Sequence, residues 1–484
     1  MRRRFGASLA AALLMASVAV AAAQNAPVAD AAMRGDHDAV RSLLQQGADV
    51  NASHGDGMSA LHWAAERGDG PLVEMLVYAG ANPAAVTRIG DYTPLHLAAR
   101  AGQATAVAAL VKAGAAVNAK TTTSGVTALH LAAASGSAEA VRLLIEKGAD
   151  VNAGEAQWGQ TPLIFAAAQN RTGAIKALLA AGADPNVATS TIDLQKHALL
   201  DRAANQAQRA LYDDFRKQQG AGRDLSPAQI QAGVQAARAL YASGELPPPP
   251  ASANAGGGQG GQGGGQNDQN AQIQQFIMQG VSSVGSKGGL TALLHAARQG
   301  YTDAVVALVD GGADVNKVSA GDGTSPLLMA VINGQFDTAI ALIEKGADPN
   351  IAADVNGVSP LWAAVNAQWQ PRTRFPQPQQ MELQKASYLD MMEALLKAGA
   401  DPNHRIGMHP WYMVYSGCGN ANCGLADTRG STAFWRAAYA VDLDAMRLLH
   451  KYGADPNIPT VAPQQRRRGG GPPPAAAPAA APAP

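Results

Sequence analysis

An all-α solenoid is the fold class this sequence predicts, and three observations predict it. The segment Thr93-Pro94-Leu95-His96-Leu97-Ala98-Ala99-Arg100-Ala101-Gly102 returns at Thr127 and again at Thr161, and Ser59 lies the same 34 residues before it. Within each period, two short apolar stripes at helical spacing follow one another. A glycine closes every second stripe, at Gly80, Gly114, Gly148 and Gly182. A fixed period of this kind means an array of small stacked units, each touching only its neighbours, which grows without enlarging a single core.

The physics of one unit can be read directly. Thr93 is a good N-cap for an orphan backbone N–H, and Pro94 falls at the first helical position, where its missing donor costs nothing. Gly102 ends this first helix eight residues later, and Ala98 and Ala99 suit close contact with a neighbour. Val107, Leu110 and Val111 then repeat at helical spacing, with Lys112 in the last turn and Gly114 where a left-handed residue typically ends a helix. Isolated helices under about 12 to 15 residues are marginal in water. Stacking identical units buries both apolar faces.

Thr-Pro-Leu-His-Leu-Ala-Ala followed by a Gly-Ala-Asp-Val-Asn ending resembles the ankyrin repeat. The resemblance covers most of the chain, though not its inserts or ends, and it implies a helix, a turn, a helix and a projecting β-finger in each unit. It also implies a function: non-catalytic binding of another macromolecule through a concave groove lined by the inner helices and the finger tips. The positions matching the family's variable, partner-facing ones are Asp56, Met58, Glu66, Arg67, Arg88, Ile89, Tyr92, Arg100, Lys120, Trp158, Gln160 and Arg298. Tyr92 and Trp158 stand out, since Trp, Tyr and Arg anchor interfaces; packing between fingers is the alternative use of each. His62, His96 and His130 share one register, that of the family's structural histidine, which braces neighbouring repeats. Units about 10 Å apart cannot bring the three onto one zinc that needs ligands at about 2 Å. His295 stands one place later, with Leu294 in the register, which puts that unit's brace in question, and Trp362 replaces the histidine in another unit. Trp63, Phe165 and Met329 take the place of Leu97 and read as core.

Taken in order, residues 1–23 have the parts of a signal peptide: Arg2-Arg3-Arg4, the apolar run from Ala7 to Val20, and small residues up to Ala23. Export to a periplasm or outside the cell is expected, by the general secretory or the twin-arginine route. Residues 27–186 hold an N-terminal cap without the Thr-Pro-Leu-His opening, made polar by Arg34, Asp36, His37, Asp38 and Arg41, and then four units opening at Ser59, Thr93, Thr127 and Thr161. From Asp184 to the equivalent Asp314 is about 96 residues more than one period, so an insert at 187–287 interrupts a finger. Ile192 to Gln219 predicts an amphipathic helix, and Ser226-Pro227 opens a second with Ile230, Val234, Ala237 and Tyr241 on one side. Their apolar stripes must dock on each other, on the solenoid or on something else. Pro247–Pro250 and Gly256–Gln266 follow as polyproline and a Gly/Gln linker. Units resume over 288–403 at Thr291, Ser325 and Ser359, with about 19 extra residues around Trp369 to Pro378. A finger insert at 404–430 leads to a capping unit at 431–460, opening at Ser431 and turning Arg436, Arg447, His450 and Lys451 outward. The Pro/Ala-rich stretch 461–484 predicts disorder.

Composition narrows function further. Lys plus Arg and Asp plus Glu are both 37, so no global basic field exists to neutralise phosphates, and nucleic acid is not an expected partner. No later segment is apolar and long enough to span a bilayer. Cys418 and Cys423 are the only cysteines. In an oxidising compartment they predict a local disulfide, with zinc held together with His404 and His409 as the alternative. No phosphate-loop, nucleophile-elbow or paired-histidine metalloprotease motif appears. The expectation is a monomer without cofactor or metal that binds a protein partner. An enzyme built in the inserts, lined by His197, Asp201, Asp213 or the Cys418 loop, is the second reading, and an envelope structural protein the third.

Overall fold

The computed structural model describes residues 26–219, 224–245, 285–369, 380–408 and 428–461. The signal peptide, the polyproline and Gly/Gln linker, Cys418 and Cys423 with His409, and the tail after Val461 lie outside these residues.

Nine helix pairs follow one another along the described chain. Unit 1 holds α1 (Pro27–Arg34) and α2 (His37–Gln45), unit 2 α3 (Ala60–Arg67) and α4 (Gly70–Tyr78), and unit 3 α5 (Pro94–Arg100) and α6 (Ala104–Lys112). Unit 4 holds α7 (Ala128–Ser135) and α8 (Ala138–Glu146), and unit 5 α9 (Pro162–Ala168) and α10 (Thr172–Ala180). After the insert come α13 (Ala292–Gln299) and α14 (Thr302–Asp310), α15 (Pro326–Ile332) and α16 (Phe336–Glu344), α17 (Pro360–Trp369) and α18 (Tyr388–Lys397), and α19 (Ala433–Tyr439) and α20 (Leu443–Lys451). First helices stack on first helices and second on second. The alanine five places after each cap (Ala98, Ala132, Ala166, Ala330) is fully buried, because a larger side chain would hold the stacked helices apart. The caps are as the residue types require: Thr93 accepts from the His96 N–H, and Thr161 from that of Ile164.

The first unit, without the Thr-Pro-Leu-His opening, still forms a first helix, beginning at Pro27 with Val28, Ala29, Ala31 and Ala32 buried, although Ala26 supplies no side-chain cap. One expectation about the ends changes. In the last unit the N-cap is Thr432 rather than Ser431, since the Ser431 hydroxyl accepts from the Trp362 indole at 3.0 Å. That one-residue shift turns Arg436 inward. It is 1% exposed, and its guanidinium bonds Asn366 Oδ1 at 2.9 Å and the Trp369 carbonyl at 2.8 Å. Arg447, His450 and Lys451 do face outward.

The fingers form a backbone ladder along the array. Arg88 N–H donates to the Asp56 carbonyl, Thr122 to Gly90, Ala156 to Ser124, Ser190 to Trp158, Ala320 to Gly289, Asp354 to Asp322 and Gly407 to Asn356. A second row of bonds comes from the asparagine that ends most units. Asn118 Oδ1 accepts from Asp150 N–H at 3.0 Å and its Nδ2 donates to Gly148 O. Asn186 does the same to Asp314 and Gly312 across the insert. The insert therefore leaves the stacking unbroken, and α9 packs on α13.

Ile192 is expected to begin a helix; instead it lies in β1 (Thr191–Asp193), antiparallel to β2 (Ser286–Gly288) and opposite Lys287. The pairing ties the two ends of the insert together, and α11 (Leu194–Gln219) starts only beyond it. α12 (Pro227–Ser243) opens with a Ser226–Gln229 capping box. The two helices dock on each other. Gly233 lies under the Tyr212 ring, and the Tyr212 hydroxyl donates to the Ile230 carbonyl at 3.1 Å.

Candidate partner-binding groove

The inner helices and fingers meet at a face built from two repeating positions. Four places after each cap stand Trp63, Leu131, Phe165 and Met329, all half-buried, so the expectation that Trp63, Phe165 and Met329 are core is corrected. The position lies at the margin where one inner helix meets the next, and it is closed over at Leu97, His295 and Ala363. Seven places after each cap stand Glu66, Arg100, Ala134, Ala168, Arg298 and Ile332. The stretch from unit 4 to unit 5 is thus apolar and small, with an arginine at either side.

The expected partner-facing residues fall into distinct groups. Glu66, Arg100 and Tyr92 come together: Arg100 reaches Glu66 at 2.8 Å and lies 5.8 Å from the centre of the Tyr92 ring, a finger residue. Arg88, Ile89 and Lys120 are exposed on the fingers. Arg298 is half-buried on α13. Arg67 is exposed but lies along the unit junction, its guanidinium 3.3 Å from the Met33 carbonyl. Asp56 is exposed and shapes its own turn by accepting the Met58 N–H at 2.9 Å. Met58 is a correction: that turn folds it inward to 8% exposure, which leaves nothing for a partner to touch. Trp158 and Gln160 are half-buried in a finger wound around Glu155, whose carboxylate accepts from the N–H groups of Gln157, Trp158 and Gln160.

Glu155 was not singled out from the sequence, yet a signal existed. Six places before Thr93, Thr127 and Ser325 stand Thr87, Thr121 and Ser319, whose hydroxyls accept from the N–H groups of Tyr92, Val126 and Thr324. An oxygen-bearing side chain recurs there because the finger must close on something.

The three histidines are braces, as the resemblance implies. Each Nδ1 meets the cap of its own helix, and each Nε2 bonds a finger carbonyl of the next unit: His62 to Tyr92 at 3.1 Å, His96 to Ala119 and His130 to Gln160 at 3.0 Å. Burial lowers the pKa of all three, only partly opposed by those carbonyls. His295 has no such partner: its Nε2 is buried and unbonded among the described residues. Burial, with Arg298 nearby, lowers its pKa to about 4.

Little chemistry converges elsewhere. His197 Nδ1 and the Tyr241 hydroxyl are 2.5 Å apart across the insert hairpin. Burial of the phenol and the neighbouring Asp201 carboxylate raise the pKa of Tyr241, so it keeps its proton and latches the helices. Asp213 pairs instead with Arg216 at 3.1 Å, so of the three polar residues expected to line an insert pocket, His197 and Asp201 come together at Tyr241 and Asp213 does not join them. His404 Nε2 bonds the Gly357 carbonyl at 2.8 Å. Among the described residues no three His, Cys, Asp or Glu side chains lie close enough to hold a metal ion, and no helix is long and apolar enough to cross a membrane. An open cleft of about 570 Å³ between α10 and α14, bordered by Lys176, Asp303 and Asp310, lies on the outer helices.

A stack of helix pairs with laddered fingers and a side-chain-lined inner face is a repeat solenoid of the interaction type. A family model described as ankyrin repeats matches the chain in three copies, at residues 28–121, 95–189 and 265–353, together more than half its length. The chain belongs to the ankyrin-repeat family, whose repeats are generally modules of protein–protein interaction. No curated protein matches it.

Proposed function

We propose that the chain is a non-catalytic scaffold, exported to the periplasm or the cell exterior, that holds a protein partner along the groove between inner helices and fingers. The observation that carries this reading is the half-exposed apolar pair Leu131 and Phe165 on neighbouring units, with Arg100 and Arg298 on the units at either side. Half-covered aromatic and aliphatic side chains with arginine at the margins are what protein interfaces use as anchors. The partner it suits presents an apolar segment with acidic flanks. Export is supported by the signal-like first 23 residues.

A photo-reactive residue in place of Phe165, in cells producing the full chain, tests the reading. The expected outcome is a discrete cross-linked protein that is absent when the same residue replaces Lys147, which is exposed on an outer-helix end. Equal labelling from both positions, or none from Phe165, would sink it.

A further inference from the structure

Two arginines stand at the same register of the groove, and the array satisfies one of them. Arg100, seven places after the cap of unit 3, reaches Glu66 at 2.8 Å and lies 5.8 Å from the centre of the Tyr92 ring. Glu66 holds that same register one unit earlier. Arg298 holds it in unit 6, but the residues one unit before and after are Ala168 and Ile332, which have no side-chain oxygen to offer. Arg298 is half-buried and, among the described residues, has no ion pair or side-chain hydrogen bond. A pair formed at a partly buried arginine is screened less than one at an open surface.

One turn earlier on α13 is His295, 8% exposed, with a buried and unbonded Nε2. Residues three apart on a helix are neighbours on its surface. The inner helices packed on either side, α9 and α15, carry no titratable side chain. On α14, Asp303 and Asp310 are exposed on the outer layer, and Asp310 is paired with Lys345. Burial holds the imidazole neutral, and Arg298 is the one charge among the described residues that adds to this. Two donor groups with unmet capacity therefore lie side by side at unit 6, one turn from the half-exposed Phe165 and small Ala168 of unit 5.

We propose that Arg298 and His295 form a carboxylate subsite of the groove, in which an aspartate or glutamate side chain of the partner lies over Ala168, as Glu66 lies beside Arg100, next to an apolar side chain seated on Phe165. This rests on the groove reading and narrows it, because Arg100 already has its carboxylate. A single planar guanidinium suits the two oxygens of one carboxylate. The groove continues past unit 6 along α15, where Met329 and Ile332 are half-exposed, so the partner's chain runs through and offers a side chain, not a terminal carboxylate. The bound carboxylate offsets the charge of Arg298 at His295, which then takes a proton more readily than in the empty groove. Binding therefore strengthens as pH falls from 7 toward 5.

A positional-scanning library of hexapeptides, acetylated and amidated at their ends, tests this on the immobilised full chain. At pH 7 the parent should select peptides with Asp or Glu beside Leu or Phe. Arg298→Gln should weaken the best of them about tenfold, and the same peptide with glutamine for its acid should bind both chains equally weakly. Between pH 7 and pH 5 the acidic peptide should gain about threefold or more in affinity, a gain that His295→Leu removes. Peptides that Phe165→Ala releases but that show no preference for an acid overturn the subsite and leave the groove standing. So does an acid preference that survives Arg298→Gln, or an affinity that does not rise toward pH 5. A parent that selects no peptide overturns both.

Discussion

Units 2 to 4 and units 5 to 7 hold the same fold with different fastenings. In the first group His62, His96 and His130 tie a helix cap to the next finger by hydrogen bonds. In the second, Ile164, Leu294 and Leu328 occupy the same place, buried and without polar atoms. Unit 5 supplies a physical reason, since its neighbouring finger is the one the insert splits, and β1 with β2 does the fastening there. Nothing in the structure explains Leu328. Unit 8 returns to a polar fastening by another residue type, the Trp362 indole on Ser431. The difference teaches that stacking of small apolar faces holds the array, while the brace is a local addition that can be exchanged.

The most severe way to test that view is Trp362→Ala, which removes both a fully buried side chain and a brace. A loss of about 3–5 kcal/mol is expected, read by urea unfolding and, as units are coupled only to neighbours, by faster hydrogen exchange in units 8 and 9 first. Exchange spread evenly over all nine units would contradict it.

Acid is the next largest perturbation. The buried histidines refuse a proton that the unfolded chain takes up near pH 6.5, so stability is complete above that value and is lost as pH falls toward the folded-state pKa. For His295 the window runs from about 6.5 to about 4, equivalent to up to about 3 kcal/mol. His295→Leu should flatten the stability curve over this window, and an undiminished slope would show the acid sensitivity to lie elsewhere.

His96→Leu imports the unit 5–7 solution into unit 3. It leaves the Thr93 N–H and a finger carbonyl unpaired, and about 1–3 kcal/mol should be lost. A neutral result would show the two fastenings to be interchangeable in any unit.

The smallest effect is a gain. Ala84 stands where Asn118 and Asn152 clamp the next unit, so the junction of units 2 and 3 lacks this bond. Ala84→Asn should add about 1 kcal/mol, seen as a higher melting temperature with slower exchange around Ala116.

Much of the fold was legible, because what defines a unit is encoded within 34 residues: Thr93 and Pro94 start a helix, Gly102 and Gly114 end two, and the period repeats the instruction. The groove was legible in part. Glu66, Tyr92 and Arg100 do meet there, but Met58 was misplaced by a finger turn that only the Asp56 carboxylate reveals. Arg436 was placed outside because a Ser431 opening and a Thr432 opening look equally good as caps.

The sequence by itself therefore determined the unit, its caps and its period, since these depend on neighbours a few residues apart. Only the tertiary structure decided that Ile192 pairs with Lys287 across the insert and that Arg436 is buried. Those outcomes depend on which groups meet after distant loops close. A register difference of one residue, invisible in a pattern of residue types, then exchanges inside for outside.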